Sequence, residues 1–536
     1  MWQPTHIKPV SKAVLSLAHV QSFLARQGRT DLIDHLNVLR SLPHFEATVL
    51  TDCPPPVKAR KSRLPQRIFD ECEQAGILKR ITRPTVGMSV PLKSVPDRKN
   101  DQLGRIILPV CPLNAISRRP PPTPLPDMHD FVTSLLRRRW ILTADARSWF
   151  FSFPVAEEVA AKYFVTRGPT GQFYAHVRGV MGWCWMPYLA GSVAQELASF
   201  VADECNGVGF AWIDDFTLGF DTKVDAEAAA DQLRLLAHNL GFELHDVCIA
   251  ERTVAVGVQL DSRLRAWRLA PGWALKAHDA WLTIRTRRHV NLGDLCSVTG
   301  MAAWATYVRG IPLFLLADAA RFVSRLLQAS SNPMMNGATL PRRIRDDLDV
   351  IYKEIRMNRW IRTRPICTST VVVSDACVEG NRGGRAFMAT VEGRVVQISE
   401  GVSDPAHINL EELVALAKGV KCSDAADECV AITDSRVVFH WLQKFNSGGN
   451  EEARIVLADL HAFLKRNRCR LRPLWMSTEN MSTFGVDEAS RWMVDHCEPC
   501  DPSRTVASKV AAEQDTAAFW SLGSLVLEAL GPKGGA

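Results

Sequence analysis

No apolar run in this 536-residue sequence is long enough to cross a lipid bilayer, and its first residues, MWQPTHIKPVSK, do not resemble a signal peptide. Internal repeats and low-complexity tracts are also absent, so a repeat architecture is not expected. The 14 cysteines are scattered singly, which indicates reduced core thiols rather than a disulfide framework. These absences predict an intracellular protein, in the cytoplasm or the nucleus, without a membrane partner.

The composition is that of a folded protein with several domains. Apolar residues make up 47% of the chain and charged residues 23%, and this length predicts about three to five domains. The net charge of +7 is modest, but the basic residues form clusters. These are Lys58 to Arg67, Arg137 to Arg139, Arg285 to Arg288, Arg342 to Arg345 and Lys465 to Arg472. One such cluster is usually a solvated surface, whereas several along one chain favour a polyanionic partner.

The pattern of apolar residues divides the chain into five predicted segments. Residues 1–77 form a helical extension with a basic, proline-rich linker, to which the pattern assigns no function. Short β-branched runs alternate with helical stretches over 78–262. The segment 263–362 is predicted to be helical, almost entirely so from residue 274. A second strand-rich segment covers 363–500, and a tail with an amphipathic helix covers 501–536.

Three aspartates form a first acidic cluster. Asp145 ends the apolar run WILTAD, and Asp214 and Asp215 lie inside FAWIDDFTLGF. Two adjacent aspartates between apolar runs are most often only the tip of a hairpin. A hairpin with buried strands, however, would hold these carboxylates close together, where they repel each other unless a cation neutralises them. Three such carboxylates can hold two Mg²⁺ ions about 3.5–4 Å apart, an arrangement that catalyses nucleotidyl transfer.

The surrounding sequence resembles the reverse transcriptases of retrotransposons, with matching segments in the family's order from residue 105 to residue 312. These segments are RIILPVCPLN (105–114, a fingers strand), DARSWFFSFPV (145–155, motif A), VMGWCWMPYLAGSVAQ (180–195, in the place of motif B), IDDF (213–216, motif C), LGFELHD (240–246, motif D), VAVGVQLD (254–261, motif E) and NLGDLCSVTGMAAWATYVRGIP (291–312, the helical segment after the thumb in gypsy-like and DIRS-like elements).

This resemblance implies roles for individual residues. It assigns the polymerase Mg²⁺ ions to Asp145, Asp214 and Asp215. The nucleotide-binding residues that it implies are Lys93, Arg105, Phe150, Met181 and Gly182. Phe150 would stack under the sugar and exclude a 2′-hydroxyl, although plain core packing is the alternative.

The sequence departs from the family pattern in two of these motifs. Met181 stands where motif B usually has Gln or Phe, and no lysine follows Gly241 within reach to protonate the leaving pyrophosphate. His245 could replace that lysine, but a histidine in a loop is more often a bystander. Such departures favour a divergent branch, for example the kinetoplastid VIPER or TATE type.

Four further carboxylates form a second cluster. Asp375 ends the run VVVSD, Asp434 ends CVAITD, Glu412 lies on a predicted helix, and Asp487 opens VDEASRWM. Each is unremarkable alone, but the carboxyl ends of neighbouring strands gather at one sheet edge, where helices can add ligands. The series SDA, INLEELVA, TDS and FGVDEASR resembles the ribonuclease H fold. By this resemblance the four carboxylates hold two Mg²⁺ ions that activate water against an RNA phosphate. The histidine that often precedes the last aspartate is replaced by WMSTENM.

Together, the resemblances imply an α+β right-hand polymerase with fingers and palm (78–262), a helical thumb and connection (263–362) and an α/β ribonuclease H-like domain (363–500). The implied activity is RNA- and DNA-directed DNA synthesis with hydrolysis of RNA in RNA–DNA hybrids. The implied cofactor is Mg²⁺, two ions in each site, with Mn²⁺ as a substitute. The implied partners are an RNA template, a DNA primer, the hybrid, deoxynucleoside triphosphates and other proteins of the parent element.

Other interpretations stay open or are disfavoured by particular residues. A catalytically decayed or domesticated copy that binds RNA–DNA duplexes as a scaffold is the alternative, and the intact carboxylates argue against it. A viral RNA-dependent RNA polymerase would leave the second cluster unexplained. The segment HCEPC (496–500) has the spacing of half a zinc site, but no second pair lies nearby, so zinc is not expected.

Overall fold

The structure is a computed structural model that describes residues 4–50, 60–82, 89–97, 102–329, 337–363, 368–424, 426–481 and 484–496, the side chains of 480, 495 and 496 excepted, and the backbone of 509–511. It is a mixed α/β protein that divides into two compact units. The first unit comprises Met1–Ala270 and Trp360–Thr363, and the second comprises Pro271–Arg359 and Arg364–Ala536. Within the described residues, no helix is both long and apolar enough to span a membrane. The cysteines of HCEPC and the predicted C-terminal helix lie outside the described residues.

The described strands are, in chain order, β1 (His6–Ile7), β2 (Leu78–Ile81), β3 (Lys93–Pro96), β4 (Leu103–Ile107), β5 (Trp140–Ala146), β6 (Val165–Arg167), β7 (Phe173–His176), β8 (Val208–Trp212), β9 (Asp215–Phe220), β10 (Leu244–Ala250), β11 (Arg252–Ala255), β12 (Val258–Asp261), β13 (Ala266–Leu269), β14 (His289–Asn291), β15 (Gly337–Thr339), β16 (Ile361–Arg362), β17 (Ser369–Glu379), β18 (Arg382–Val391), β19 (Arg394–Ser403), β20 (Glu428–Thr433), β21 (Arg470–Trp475) and β22 (Lys509–Ala511).

The described α-helices are α1 (Leu17–Arg26), α2 (Thr30–Leu36), α3 (Leu42–Glu46), α4 (Gln66–Gln74), α5 (Cys111–Ile116), α6 (Met128–Leu136), α7 (Trp149–Ser152), α8 (Glu157–Tyr163), α9 (Met186–Glu204), α10 (Lys223–Leu240), α11 (Pro271–Arg285), α12 (Leu292–Arg309), α13 (Phe314–Ala329), α14 (Arg342–Met357), α15 (Ile408–Cys422), α16 (Arg436–Lys444), α17 (Glu451–Asn467), α18 (Thr478–Met481) and α19 (Val486–His496). A 3₁₀ helix covers Asn37–Leu39.

Local sequence explains where the long helices begin and end. Helix α10 starts because the Thr222 side chain accepts a hydrogen bond from the backbone N–H of Asp225. It ends at Gly241, whose φ of 85° is a conformation that glycine adopts without steric cost. Asn291 and Gly310 cap α12 in the same way. The cap at Gly241 thus fixes where α10 ends and where the chain turns into β10.

The first unit is built on a four-stranded antiparallel sheet in the order β10-β5-β9-β8. Helices α9 and α10 pack on it and contribute to one apolar core, which includes Leu142, Leu197 and Leu233. Smaller sheets have the orders β1-β4-β3 and β2-β7-β6. Strands β13 and β16 join β11 and β12 in a further sheet. Residues 266–269 and 361–362 are therefore strands that lie with the first unit, although the segment 263–362 was predicted to be helical.

The second unit contains the helices α11 to α14 and a six-stranded sheet in the order β21-β20-β17-β18-β19-β22. Strand β17 is parallel to β20 and antiparallel to β18. Because side chains alternate along a strand, Val372 packs with helices α15 to α17, whereas Val371 and Val373 pack with the segment around Phe484. Apolar residues therefore cover both faces of the sheet.

Candidate active sites

Backbone pairing brings the first three aspartates together at one end of the β10-β5-β9-β8 sheet. Asp145 on β5 is the direct partner of Asp215, the first residue of β9. Asp214 lies in the turn between β8 and β9, and its carbonyl oxygen accepts a hydrogen bond of 2.8 Å from Ala146 N. The hairpin expected from FAWIDDFTLGF is thus present, and its tip is tied to the strand that carries Asp145.

The electrostatics of this cluster favour a cation. Removal from water and, to a lesser degree, repulsion from the carboxylate of Asp214 raise the pKa of Asp145 to about 6. The same two causes, with added repulsion from Asp145, raise the pKa of Asp215 to about 7. Desolvation also raises the pKa of Asp214. Carboxylates that repel each other in this way are stabilised as anions by a divalent cation, and oxygen ligands are those that Mg²⁺ prefers.

A cavity of about 540 Å³ opens beside Asp145 and Asp214. Three residues of the expected nucleotide set line it, namely Arg105, Phe150 and Met181. Lys93 and Gly182 are not among its lining residues. Lys93 is exposed on β3 opposite Ile107.

The segment after Val180 is held against the strand that carries Arg105. Gly182 has a φ of 115°, and a Cβ there would lie 2.4 Å from the carbonyl oxygen of Leu108. Leu108 N donates a hydrogen bond to Met181 O. The Asn114 side chain donates to Gly182 O at 2.8 Å and accepts from Cys184 N at 3.0 Å. Only glycine fits at position 182, and its role is to let this segment approach the cavity wall that Met181 helps to form.

Phe150 lies on the short helix α7, which follows Ser148 in the left-handed conformation. Its neighbours Trp149 and Phe151 are buried, whereas Phe150 is partly exposed at the cavity. A Cβ on Gly179 would lie 2.1 Å from the carbonyl oxygen of Phe150, so the backbone is tightly packed at this point. The backbone is therefore tightly packed at a residue that lines the cavity.

His245 contacts the cluster directly. It is the register partner of Asp145 on β10, and its Nε2 lies 2.7 Å from Asp145 Oδ2. Its Nδ1 lies 3.1 Å from Asp246 Oδ2. The register shifts between His245 and Cys248, a bulge that re-aims the side chains at this end of the strand.

In the second unit, Asp375, Glu412 and Asp434 converge. One carboxylate oxygen from each lies within 4.8 Å of the others. Asp375 is on β17, Asp434 directly follows the parallel strand β20, and Glu412 comes from α15. Glu412 Oε2 is buried and, among the described atoms, has no hydrogen-bond partner. A buried carboxylate oxygen without a donor, facing two other carboxylates, fits a divalent cation.

The pKa values of this second cluster are raised by the same physical causes. Burial raises the pKa of Asp375 to about 6, with added repulsion from Asp434 and Asp487. Burial likewise raises the pKa of Glu412 to about 7. Asp487 on α19 is not among the three converging residues, and its Oδ1 accepts a hydrogen bond of 2.8 Å from Arg491.

The adjacent carboxylates Glu411 and Glu412 have different environments. Glu411 is 2% exposed and is ion-paired with Arg385, and it accepts a hydrogen bond from Ala406 N at 2.7 Å. Glu412 instead faces Asp375 and Asp434. On α15, Glu411 thus stabilises the fold through Arg385, whereas Glu412 joins the carboxylate cluster.

Two residues near these clusters were not singled out from the sequence. Ser490 is fully buried, and its hydroxyl donates a hydrogen bond of 2.6 Å to Asp375 Oδ2. Its position three residues after Asp487 on a predicted helix was a signal that could have identified it. Lys8 lines the cavity of the first unit. No motif marked Lys8, because residues 1–77 matched no functional pattern.

No family model matches this sequence, and comparison with curated proteins returned no match. Among solved structures, the chain is similar to foamy viral protease–reverse transcriptases. The dRH form in complex with double-stranded DNA has 14% identity and a TM-score of 0.47, covering 88% of this chain and 84% of that one. A second complex with double-stranded DNA has the same identity and TM-score and covers 88% and 99%. A complex with an RNA/DNA hybrid has 11% identity and a TM-score of 0.41, covering 91% and 87%.

Proposed function

We propose that this chain is an RNA- and DNA-directed DNA polymerase with ribonuclease H activity, which serves the replication of a gypsy-like or DIRS-like retrotransposon, or of the VIPER or TATE type. Its fingers and palm comprise 78–262, its thumb and connection 263–362 and its ribonuclease H domain 363–500. Its partners are an RNA template, a DNA primer, the RNA–DNA hybrid and deoxynucleoside triphosphates.

One observation carries this proposal. Each of the two compact units contains a cluster of carboxylates with pKa values raised by burial and mutual repulsion. A single such cluster could be a turn or a structural cation site. Here there are two clusters, and the sequences around them resemble polymerase and ribonuclease H motifs in the retroelement order. This combination supports DNA synthesis at one cluster and RNA degradation at the other.

In the polymerase site, Asp145, Asp214 and Asp215 would hold two Mg²⁺ ions, with Mn²⁺ as a substitute. Bound at either cluster, such ions stabilise the attacking and leaving oxygens of a phosphoryl transfer. Arg105 would contact the triphosphate from the cavity wall, and Phe150 would lie against the sugar. Met181 closes the wall beside them, with Gly182 allowing the close approach of its segment. Lys93 would reach the phosphates from β3.

In the ribonuclease H site, Asp375, Glu412, Asp434 and Asp487 would hold the ions that act on an RNA phosphate. Ser490 keeps Asp375 in place through its 2.6 Å hydrogen bond. Thr478 Oγ1 does the same for Asp434, donating a hydrogen bond of 2.8 Å to its Oδ2. Fixed carboxylates of this kind hold cations at the required spacing without reorganisation during the reaction.

Two assays on the purified chain test the proposal. Primer extension on RNA and on DNA templates with Mg²⁺ should yield DNA, and a labelled RNA strand in a hybrid should be cleaved. Both activities should disappear when EDTA removes divalent cations and return when Mg²⁺ is restored. A folded protein that binds hybrids but shows neither activity would instead be a decayed copy acting as a scaffold.

A further inference from the structure

Residues 4–8 add an edge strand to the sheet that carries Arg105. Strand β1 runs parallel to β4, pairing His6 with Leu103 and Ile7 with Gly104, and Lys8 N donates to Gly104 O at 2.9 Å. A Cβ on Gly104 would lie 2.7 Å from the Cβ of Pro4, so the two segments are in close contact. This pairing places Lys8 beside the strand that Arg105 occupies.

The same N-terminal segment is also tied to the region that follows Asp145. Ser11 N donates to the Ser148 hydroxyl at 3.1 Å, and Leu15 N donates to Ser152 O at 2.8 Å. Residues 8–10, between the pairing with β4 and the hydrogen bond of Ser11, line the cavity of about 540 Å³. Since both ends of the segment are hydrogen-bonded, Lys8 is held at the cavity by the backbone on either side.

Lys8 and Arg105 share one carboxylate. Lys8 Nζ lies 3.3 Å from Asp97 Oδ1, and Arg105 Nε lies 3.8 Å from the same oxygen. The Asp97 side chain is only 8% exposed, whereas the Lys8 side chain is 52% exposed. One buried anion therefore holds two cations at the edge of the cavity, and Lys8 has room to reach into it.

The positive charge of Lys8 also acts electrostatically on the aspartate cluster. It lowers the pKa of both Asp145 and Asp214, against the larger effects that raise them. An anion bound between these carboxylates and the N-terminal segment would therefore lie within range of the Lys8 ammonium. A triphosphate brings several negative charges into this space, more than one guanidinium can balance.

We propose that Lys8 binds the β- and γ-phosphates of the incoming deoxynucleoside triphosphate together with Arg105, as a two-cation clamp that the N-terminal segment adds to the polymerase site. The inference rests on the proposed function. The primer 3′-oxygen forms a bond to the α-phosphorus, the bond from that phosphorus to the bridging oxygen breaks, and pyrophosphate leaves with both electrons of that bond. The 3′-hydroxyl proton passes to solvent. Lys8 keeps its own proton and stabilises the charge on pyrophosphate, in a chain whose first lysine after Gly241 is the distant Lys276.

The test compares Lys8→Ala and Lys8→Gln with Lys8→Arg and with a matched control, Lys12→Ala. Lys12 lies in the same segment and is exposed, but it does not line the cavity. Removing the Lys8 charge should raise KM for the nucleotide about tenfold, as expected for one charged hydrogen bond, with a smaller change in kcat. KM for pyrophosphate in the reverse reaction should rise similarly. Lys8→Arg should restore most of the affinity, and Lys12→Ala should resemble the wild type.

A binding measurement separates this inference from the proposed function. Titration calorimetry with a deoxynucleoside triphosphate and Ca²⁺ should show weaker binding by Lys8→Ala and Lys8→Gln, and cleavage of hybrid RNA should be unchanged. If the wild type binds the nucleotide through Lys8 but never extends a primer, the polymerase proposal fails while the phosphate site stands. If the wild type extends primers and both variants keep KM and binding within twofold, Lys8 has no such role.

Discussion

His245 Nε2 lies 2.7 Å from Oδ2 of Asp145, so an imidazole already occupies one oxygen of a carboxylate that the proposed polymerase needs for its metal ions. Asp145 is thus flanked in the sheet by His245 on β10 and by Asp215 on β9. A ring donating to this carboxylate competes with a cation for it. The contact also directs the ring toward Asp145, which disfavours His245 as the proton donor to pyrophosphate.

We expect His245→Gln to lower the Mg²⁺ concentration that half-saturates primer extension, because a competing donor is weakened. The value of kcat should fall less than threefold, since general acid catalysis is typically worth about a hundredfold or more. The measurement is a Mg²⁺ titration of the primer-extension rate for wild type and variant. A hundredfold loss of kcat, with changed pH dependence, would show that His245 replaces the missing lysine.

Substitutions in the two carboxylate clusters should abolish different activities. Asp145→Asn should abolish primer extension and leave cleavage of hybrid RNA within about twofold, because the variant removes a charge from only one cluster. Asp375→Asn should do the reverse. Asp203→Asn, on the exposed surface of α9, is the matched control and should keep both activities. Equal loss of both activities in a folded Asp145→Asn protein would refute the assignment of two sites.

The raised pKa values predict how pH and Mg²⁺ act together on stability. Asp145 and Asp375 titrate at about 6, and Asp215 and Glu412 at about 7, against ordinary values of 3.8 for aspartate and 4.5 for glutamate. Between those ordinary values and the raised ones the folded state binds more protons than the unfolded state. These groups therefore make the free energy of unfolding fall as pH rises from about 4 to about 7. A cation that neutralises the carboxylates restores that stability.

Thermal unfolding with and without Mg²⁺ measures this effect. The rise in Tm caused by Mg²⁺ should be larger at pH 7.5 than at pH 5, where protons already neutralise part of the cluster. A variant with Asp145→Asn and Glu412→Gln should show a smaller Mg²⁺ effect at pH 7.5. An equal rise in Tm at both pH values would mean that the ion does not bind these carboxylates.

Glu411 and Glu412 provide a matched pair for separating stability from activity. Glu411→Gln leaves the partly buried Arg385 with one ion-pair partner fewer, and we expect it to lower the free energy of unfolding by about 2 kcal/mol. Glu412→Gln removes a repelled carboxylate and should be neutral or stabilising without metal, yet it should abolish hybrid cleavage. Chemical denaturation and a cleavage assay on both variants give the result. Normal cleavage by Glu412→Gln would remove it from the site.

The sequence predicted those parts of the sites that depend on short-range order. The segment FAWIDDFTLGF places two carboxylates between two apolar runs. This pattern predicts the β8–β9 hairpin, because the apolar runs form the strands and the polar pair lies where they connect. In the second unit, VVVSD and CVAITD predict two strands, and β17 and β20 are parallel there. Asp434 follows the end of β20 as expected, but β17 continues past Asp375 to Glu379, so the expectation that Asp375 ends its strand was wrong.

What the sequence did not predict depends on contacts between distant residues. Lys8 reaches the cavity through the pairing of β1 with β4, nearly a hundred positions later, and a two-residue strand has no detectable periodicity. The contact of His245 with Asp145 requires the register of β10 on β5 and the bulge beyond it. Glu411 and Glu412 are adjacent and chemically equivalent in sequence, so their roles are separated by distant partners, Arg385 for the first and Asp375 for the second.

The last prediction concerns the choice of sugar and rests on Phe150. Its backbone is packed tightly against Gly179, and the residue is partly exposed and lines the cavity, so we expect its side chain to lie next to a bound nucleotide. RNA and DNA precursors differ there by one 2′-hydroxyl, and a fixed ring rejects the extra oxygen by a steric clash. A pocket that merely fails to pair a hydroxyl discriminates by only about a hundredfold, so a clash is the stronger device.

Replacing Phe150 with Val should therefore open this space and raise ribonucleotide incorporation relative to deoxynucleotide, with a moderate loss of DNA synthesis. The measurement is the ratio of kcat/KM for a ribonucleotide and its deoxy counterpart. Phe200→Val is the control, because Phe200 lies on α9, packs edge-on against Phe23 and does not line the cavity. That variant should lose stability but keep the sugar ratio. If Phe150→Val stays active with an unchanged ratio, Phe150 is only core packing, and the match of residues 145–155 to motif A is out of register.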